Sequence, residues 1–169
     1  MDTDRGASPY SQSPEPFLPT LRALAECYQA VFRASSRHLE GLGLTSPQFD
    51  VLATLGDTAG MTCKELGIGT LITKGTLTGV LDRLEKRGLI TRTKGEQDSR
   101  QIFITLTPAG DAVFRRTFSA HVAYMGTYFA RMACESQTQL KGLLGELADT
   151  FETTTTVGSM TAAFGPEPG

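Results

Sequence analysis

One part of this chain differs from the rest in the spacing of its apolar residues, and that difference most limits the folds that the chain can adopt. Most segments from 17 to 152 repeat apolar residues every three or four positions, which predicts helices. Segments 89–94 and 101–107 instead alternate apolar and polar residues as strands do, and the polar sequence GEQDSR between them predicts a hairpin loop. We therefore expect four helices, one hairpin and two further helices, a mainly α fold with a small β-hairpin wing.

Capping residues predict where the first helices begin and end. Gly41 and Gly43 are expected to end the first helix, and Ser46 is expected to cap the second. Thr62 and Glu65 have the spacing of a capping box, which predicts a short third helix.

The later helices are predicted in the same way. Thr73 is expected to cap the fourth helix and Gly88 to end it, so the third and fourth helices form a helix-turn-helix. The fifth helix is expected to run from Pro108 for about 25 residues, through Met132. The apolar residues expected to face the core from the fourth helix are Leu77, Val80, Leu81 and Leu84.

The predicted fourth helix carries two glycines, Gly75 and Gly79, on its exposed face. Each costs roughly 0.5–1 kcal/mol relative to alanine in a helix interior, so a reason is needed. A face without bulky side chains allows the helix backbone to approach another surface closely. The alternative is that the glycines adjust packing or flexibility. Because this is the second helix of a helix-turn-helix, we expect it to enter the major groove of DNA.

The distribution of charge supports a nucleic-acid partner locally, although the net charge is −2. Residues 74–101 contain seven cations and four anions, so this stretch is +3 and the remainder is −5. A basic lobe on an acidic body can bind a polyanion; an ordinary solvated charged face is the alternative. In the hairpin loop, Arg100 is placed to reach the adjacent minor groove, with Asp98 orienting its guanidinium.

Several classes of protein are disfavoured. The first residues lack the features of a signal peptide, and no apolar run approaches the roughly 20 residues of a membrane span, so we expect a cytoplasmic protein with no membrane partner. The spacing of Cys27, Cys63 and Cys134 fits neither a disulfide framework nor a zinc site. We expect no metal, no cofactor and no catalytic site. Flexible tails are expected at 1–16 and 153–169.

The segment GTLTGVLDRLEKRGLITRTKGEQDSRQIFITLTPAG resembles the signature of MarR-type winged-helix transcriptional regulators. Members share D-R-L-E-x-R-G-L, a D-x-R wing and L-T-x-x-G, and all three occur here in register. The resemblance implies a winged helix-turn-helix lobe at 45–107 and a homodimer formed through helices in 17–44 and 108–152. It also implies that the dimer reads a palindromic operator in double-stranded DNA, by default as a repressor.

The resemblance also implies which residues contact DNA. Gly79 replaces an Arg that is found in many members, and Ser99 replaces a second basic residue of the wing. The expected DNA-binding residues are Thr73, Lys74, Gly75, Thr76, Thr78, Gly79 and Arg83 on the recognition helix, with Arg92, Lys94, Asp98 and Arg100 on the wing.

Family membership further implies a small ligand, often an aromatic acid, between the dimer helices and the lobe. Polar groups of the first helix are the candidates to hold a carboxylate, with Phe49 as an aromatic wall; the alternative for each is a surface or core role. His121 is expected to be a hydrogen-bonded interface histidine. The candidate ligand residues are Arg33, Ser35, Arg37, His38 and Phe49.

Two alternative functions stay open. Some relatives sense organic hydroperoxides through a cysteine six residues before a serine of the first helix. Here Gln29 occupies that position relative to Ser35, and Cys27 is turned away by about 200°. Cys63, near a helix amino end, is a second redox candidate. The other alternative is a winged-helix lobe that binds a protein and not an operator.

Overall fold

The computed structural model describes residues 15–94 and 101–161, without the side chains of Lys74 and 153–161. The described residues form a winged helix-turn-helix with six helices and three short strands, which confirms the predicted mainly α fold with a hairpin wing. In chain order these are α1 (Leu18–Gly41), α2 (Ser46–Leu55), β1 (Met61–Thr62), α3 (Cys63–Gly69), α4 (Lys74–Lys86), β2 (Ile90–Lys94), β3 (Ile102–Leu106), α5 (Pro108–Phe129) and α6 (Cys134–Thr161).

These elements belong to two compact units. The first ends at Tyr124 and the second begins at Met125. The first unit therefore contains α1 and most of α5 together with the helix-turn-helix. The division into a dimerisation region at 17–44 and 108–152 and a lobe at 45–107 stays a prediction.

The core of the first unit includes the inner face of α4. The predicted stripe is confirmed, because all four of its residues are at most 3% exposed. They pack with Leu52 and Leu55 of α2 and with Ile104 of β3. Fully burying one such side chain contributes roughly 1.5–3 kcal/mol. Packing of this stripe fixes the rotation of α4 and leaves its opposite face toward solvent.

Two helices end in the same way, at glycines in the left-handed region. Gly43 after α1 has a φ of 79°, and Gly88 after α4 has a φ of 68°. At the second site the Leu89 amide donates to the Leu84 carbonyl at 3.0 Å, which satisfies a carbonyl left open by the helix end. The predicted ends of both helices are confirmed.

The cap of α2 is Thr45, so the prediction of Ser46 was wrong. The Thr45 hydroxyl accepts from the Gln48 amide at 3.4 Å, and the Thr45 amide donates to the Gln48 side chain at 3.1 Å. The two bonds form a capping box. Ser46 cannot form one, because the residue three positions later is Phe49. The Ser46 hydroxyl instead shares a hydrogen bond with Ser36 at 2.8 Å.

The capping box of α3 is confirmed. The Thr62 hydroxyl accepts from the Glu65 amide at 3.2 Å, and the Thr62 amide donates to the Glu65 carboxylate at 2.8 Å. The bond from the Thr62 amide, and secondarily a 2.8 Å bond from the Thr62 hydroxyl to the same carboxylate, lower the pKa of Glu65. Thr73 precedes α4 as predicted, but its side chain makes no capping bond. Its hydroxyl lies 3.0 Å from that of Thr76.

The three strands form an antiparallel sheet in the order β1-β3-β2. The predicted hairpin strands pair with Ile90 opposite Leu106, and β1 adds Met61 opposite Ile104. The sequence does not predict β1, because two residues are too short to show a periodicity. The predicted hairpin loop at 95–100 lies outside the described residues.

The last two helices differ from the prediction in their lengths. α5 ends at Phe129, so Met132 lies in the connection to α6. The side-chain amide of Gln137 donates to the carbonyls of Phe129 and Met132, at 2.9 and 3.1 Å, and closes this connection. α6 continues past Thr153, where the sequence predicts a tail. None of the helices in the described part of the chain has the length and apolar character needed to cross a bilayer.

Candidate DNA-binding face and effector cavity

Among the described residues, none packs against the two glycines on the exposed face of α4. A Cβ added at Gly75 would meet nothing within 4 Å, and one at Gly79 would meet only the guanidinium nitrogens of Arg83, at 3.9 Å. Neither glycine lies in the left-handed region. Packing and backbone conformation therefore allow alanine at both positions. An exposed helix face without side chains is open to the close approach of another molecule.

Hydrogen-bond donors border this bare face. Thr73, Thr76, Thr78 and Arg83 are exposed, as expected for residues that contact a partner. The side chain of Lys74, which belongs to the same predicted set, lies outside the described residues.

Arg92, a predicted DNA contact, is partly exposed and forms ion pairs with α4. Its Nη1 lies 2.7 Å from Asp82 and 3.4 Å from Glu85, both on α4. Nη2 is buried and has no hydrogen-bond partner among the described residues. Arg92 therefore holds β2 against the recognition helix. The signal in the sequence was the spacing of Asp82 and Glu85 by three positions, which places both carboxylates on one side of α4.

The other predicted wing residues are either exposed or undescribed. Lys94 at the end of β2 is exposed. Asp98 and Arg100 lie outside the described residues, so their expected contacts stay predictions. One further cation of this stretch has a structural role, because Arg87 Nη1 donates to the Gly43 carbonyl at 3.2 Å and to the Gln48 side chain at 3.3 Å.

A cavity of about 260 Å³ lies between α1, α2 and the turn before α4. Two of the predicted ligand residues, Ser35 and Phe49, line it. The other three, Arg33, Arg37 and His38, do not. The full lining is Tyr28, Val31, Phe32, Ser35, Leu39, Ser46, Pro47, Phe49, Asp50, Leu71 and Ile72.

The two predicted carboxylate-binding cations have other surroundings. Arg33 and Arg37 are exposed, and the Arg33 guanidinium donates to Gln29 at 3.5 Å. Sequence reasoning missed Asp50, which lines the cavity and accepts from the Leu71 amide at 2.8 Å. No motif includes this aspartate, because its partner is brought near only by the fold.

A histidine pair connects α1 to α5 beside this cavity. His38 Nδ1 and His121 Nδ1 are 3.1 Å apart, and His121 Nε2 lies 3.2 Å from the Ser35 hydroxyl. The His38 ring also stacks on Tyr124, with ring centroids 4.0 Å apart. His121 is buried and hydrogen-bonded, as expected, while His38 belongs to this pair and not to the cavity wall.

We expect acid to destabilise the fold through His121. Burial, and secondarily the nearby His38, lowers the pKa of His121, so the unfolded chain binds more protons than the folded chain as the pH falls. The free energy of unfolding should therefore begin to fall as the pH drops through the ordinary histidine pKa of about 6.5, and continue to fall until the pH is below the lowered pKa of the folded His121. Urea unfolding of the parent and of His121→Gln measures this, and an identical fall in both proteins would contradict it.

The three cysteines are free thiols in the structure. Cys27, Cys63 and Cys134 are exposed and unpaired. Among the residues that the structure describes, no three or more His, Cys, Asp or Glu side chains are grouped so that they could hold a metal ion.

Comparisons with known proteins agree on one family. A sequence profile of the MarR family matches residues 44–102. The chain is 33% identical to an organic hydroperoxide resistance transcriptional regulator of Bacillus subtilis over 113 residues, which are 67% of this chain and 76% of the relative. It is 31% identical to a homoprotocatechuate degradative operon repressor of Escherichia coli over 103 residues, 61% of this chain and 70% of that one.

A solved structure supports the same relationship. A mutant of MarR from Escherichia coli, in complex with operator DNA, superposes with a TM-score of 0.71 at 25% identity. The match covers 79% of this chain and 98% of that one.

Proposed function

The chain belongs to the MarR family of transcriptional regulators, and from that premise we propose that it represses transcription by binding a palindromic operator as a homodimer. The observation that carries this proposal is the bare face of α4, where neither Gly75 nor Gly79 is required by the chain's own packing. If α4 lies in the major groove of a DNA duplex, the close approach of the duplex explains both glycines. The similar MarR mutant from Escherichia coli was solved with operator DNA, which supports DNA as the partner.

In the proposed complex, α4 lies in the major groove and the wing reaches the adjacent minor groove. Exposed Thr76, Thr78 and Arg83 contact phosphates or base edges. Lys94 and the predicted loop residues Asp98 and Arg100 act from the wing. Arg92 contributes by positioning β2, and its substitution would act through the wing rather than through a lost base contact.

Exposed apolar side chains support a homodimer. On α1, Leu21 is 49% exposed and Leu24 is 36% exposed; on α6, Leu143 is 63% exposed and Phe151 is 65% exposed. Most soluble proteins cover exposed apolar stripes, and a second copy of the chain would cover these stripes symmetrically. Two copies also supply two recognition helices for two half-sites.

We propose that a small aromatic ligand in the cavity between α1 and α2 releases the operator. The volume of about 260 Å³ suits a compound of one or two rings. Leu71 and Ile72 line the cavity just before α4, so an occupant touches the segment that positions the recognition helix. Arg33 and Arg37 do not line the cavity. We therefore propose only that the ligand contains an aromatic ring, and not that it is an acid.

The proposal favours a ligand sensor over the alternative of a peroxide sensor. Gln29 occupies the position where such sensors have cysteine relative to Ser35, and its side chain accepts a hydrogen bond from Arg33. The protein we propose senses a ligand and acts on chromosomal DNA, which places it in the cytoplasm.

The salt dependence of DNA binding tests the proposal. Fragments selected from random DNA should bind the full chain as a dimer, and affinity should fall by about 10³ to 10⁵ between 50 and 200 mM salt if six to ten phosphates are contacted. Fluorescence anisotropy at several salt concentrations measures this, with an unselected fragment of equal length as the control. A flat salt response, or no preference for the selected fragment, would instead favour a lobe that binds protein.

A further inference from the structure

The lining of the cavity between α1 and α2 is acidic and aromatic. Asp50 is the one acidic residue of the described lining, which contains no Lys, Arg or His. An anionic ligand placed there would face a carboxylate without a compensating cation. The charge of the lining therefore disfavours the carboxylic acids that the sequence suggests.

Three aromatic rings complete the wall around this carboxylate. Tyr28 and Phe32 stack on α1 with ring centroids 6.0 Å apart, and Phe49 stands on α2. The edge-on contact of Phe49 with His121, at 4.9 Å between centroids, holds that ring in place. Aromatic faces attract cations through the ring quadrupole, and desolvation strengthens the attraction.

We infer that this cavity binds an organic ammonium compound, with an apolar body among the aromatic rings and a positively charged nitrogen on the Asp50 carboxylate. The inference deepens the proposed function and rests on it for the effect of the ligand on DNA. An ammonium group donates hydrogen bonds to a carboxylate more strongly than a neutral group does.

Asp50 also connects the cavity to the recognition helix. Its Oδ2 accepts from the Leu71 amide at 2.8 Å, two residues before Thr73 at the start of α4. This is the one hydrogen bond of the carboxylate among the described residues. A ligand nitrogen on Asp50 would share this carboxylate with the Leu71 amide, so occupancy of the cavity would act on the turn that leads into α4.

Isothermal titration of the full chain with three matched probes tests the inference. Benzylammonium, benzyl alcohol and benzoate have similar apolar bodies and carry positive, zero and negative charge. We expect the parent to bind benzylammonium at least about tenfold more tightly than benzoate, as a charged hydrogen bond predicts. Asp50→Asn keeps an oxygen acceptor for the Leu71 amide but removes the charge, so it should lose this preference. Glu40→Gln removes an exposed charge of α1 outside the cavity and should keep it.

Several results would overturn the inference. These are equal or tighter binding of benzoate, an unchanged preference in Asp50→Asn, or no binding of any probe at millimolar concentration. Operator binding measured without probes reports separately on the proposed function. A chain that prefers benzylammonium but binds no DNA would refute the regulator proposal and leave the ligand class intact, whereas the opposite result would refute the ligand class alone.

Discussion

Gly79→Glu should abolish specific operator binding while the protein stays folded. The new side chain would project from the face of α4 that we place against DNA, so it would add bulk and a negative charge next to phosphates. It would also sit four residues before Arg83, whose guanidinium already lies 3.9 Å from the Cβ position. A carboxylate at this spacing pairs with the arginine and withdraws it from DNA. We expect a loss on the order of 100-fold or more in operator affinity.

The fold should tolerate this change, because among the described residues only the flexible Arg83 guanidinium comes within 4 Å of the added Cβ. The helix also loses a glycine and gains an ion pair, and both effects favour folding. Fluorescence anisotropy with the selected operator measures the affinity, and urea unfolding confirms that the variant is folded.

Gly79→Ala is the matched control. It removes the same glycine without adding charge or length, so it should raise the stability of α4 by roughly 0.5–1 kcal/mol and lower operator affinity far less than the glutamate variant does. Parent-like operator affinity in Gly79→Glu would refute the docking of this face. Equal losses in both variants would instead mean that even a methyl group blocks the approach.

Local interactions explain which parts of the fold could be predicted. The capping box of Thr62 and Glu65 and the left-handed Gly88 each depend on residues within a few positions, so the sequence alone shows them. The stripe of α4 follows from the helical period. Where two local solutions compete, as at Thr45 and Ser46, the choice depends on a partner three residues later.

Long-range contacts explain what could not be predicted. Arg92 looks like a wing cation until β2 is placed beside Asp82 of α4. Asp50 has no motif, because its partner, the Leu71 amide, lies 21 positions away. The charge of a cavity assembled from three segments follows only from the fold, which is why the sequence suggested Arg33 and Arg37 and not Asp50.

Gly110 is a further residue whose role only the fold explains. It belongs to the L-T-x-x-G motif and lies in the first turn of α5, against the backbone of Leu89. An added Cβ would lie 1.9 Å from the Leu89 carbonyl oxygen and 2.9 Å from its carbon. That carbonyl also accepts from the Thr107 amide at 3.1 Å, and the Thr107 hydroxyl accepts from the Gly110 amide at 3.0 Å. The contact at this junction is therefore between two segments of backbone, so no side chain can rotate to relieve a clash.

Gly110→Ala should consequently destabilise the fold by about 3 kcal/mol, at the upper end of the usual cost of overpacking. Relief of the clash requires the start of α5 to move away from β2, which breaks the Thr107 bonds that join the two elements. Urea unfolding followed by circular dichroism measures the loss. Gly41→Ala is the control, because its Cβ would meet nothing within 4 Å, and it should change stability by less than about 1 kcal/mol. If Gly110→Ala were as stable as Gly41→Ala, α5 could not pack against Leu89 as closely as described.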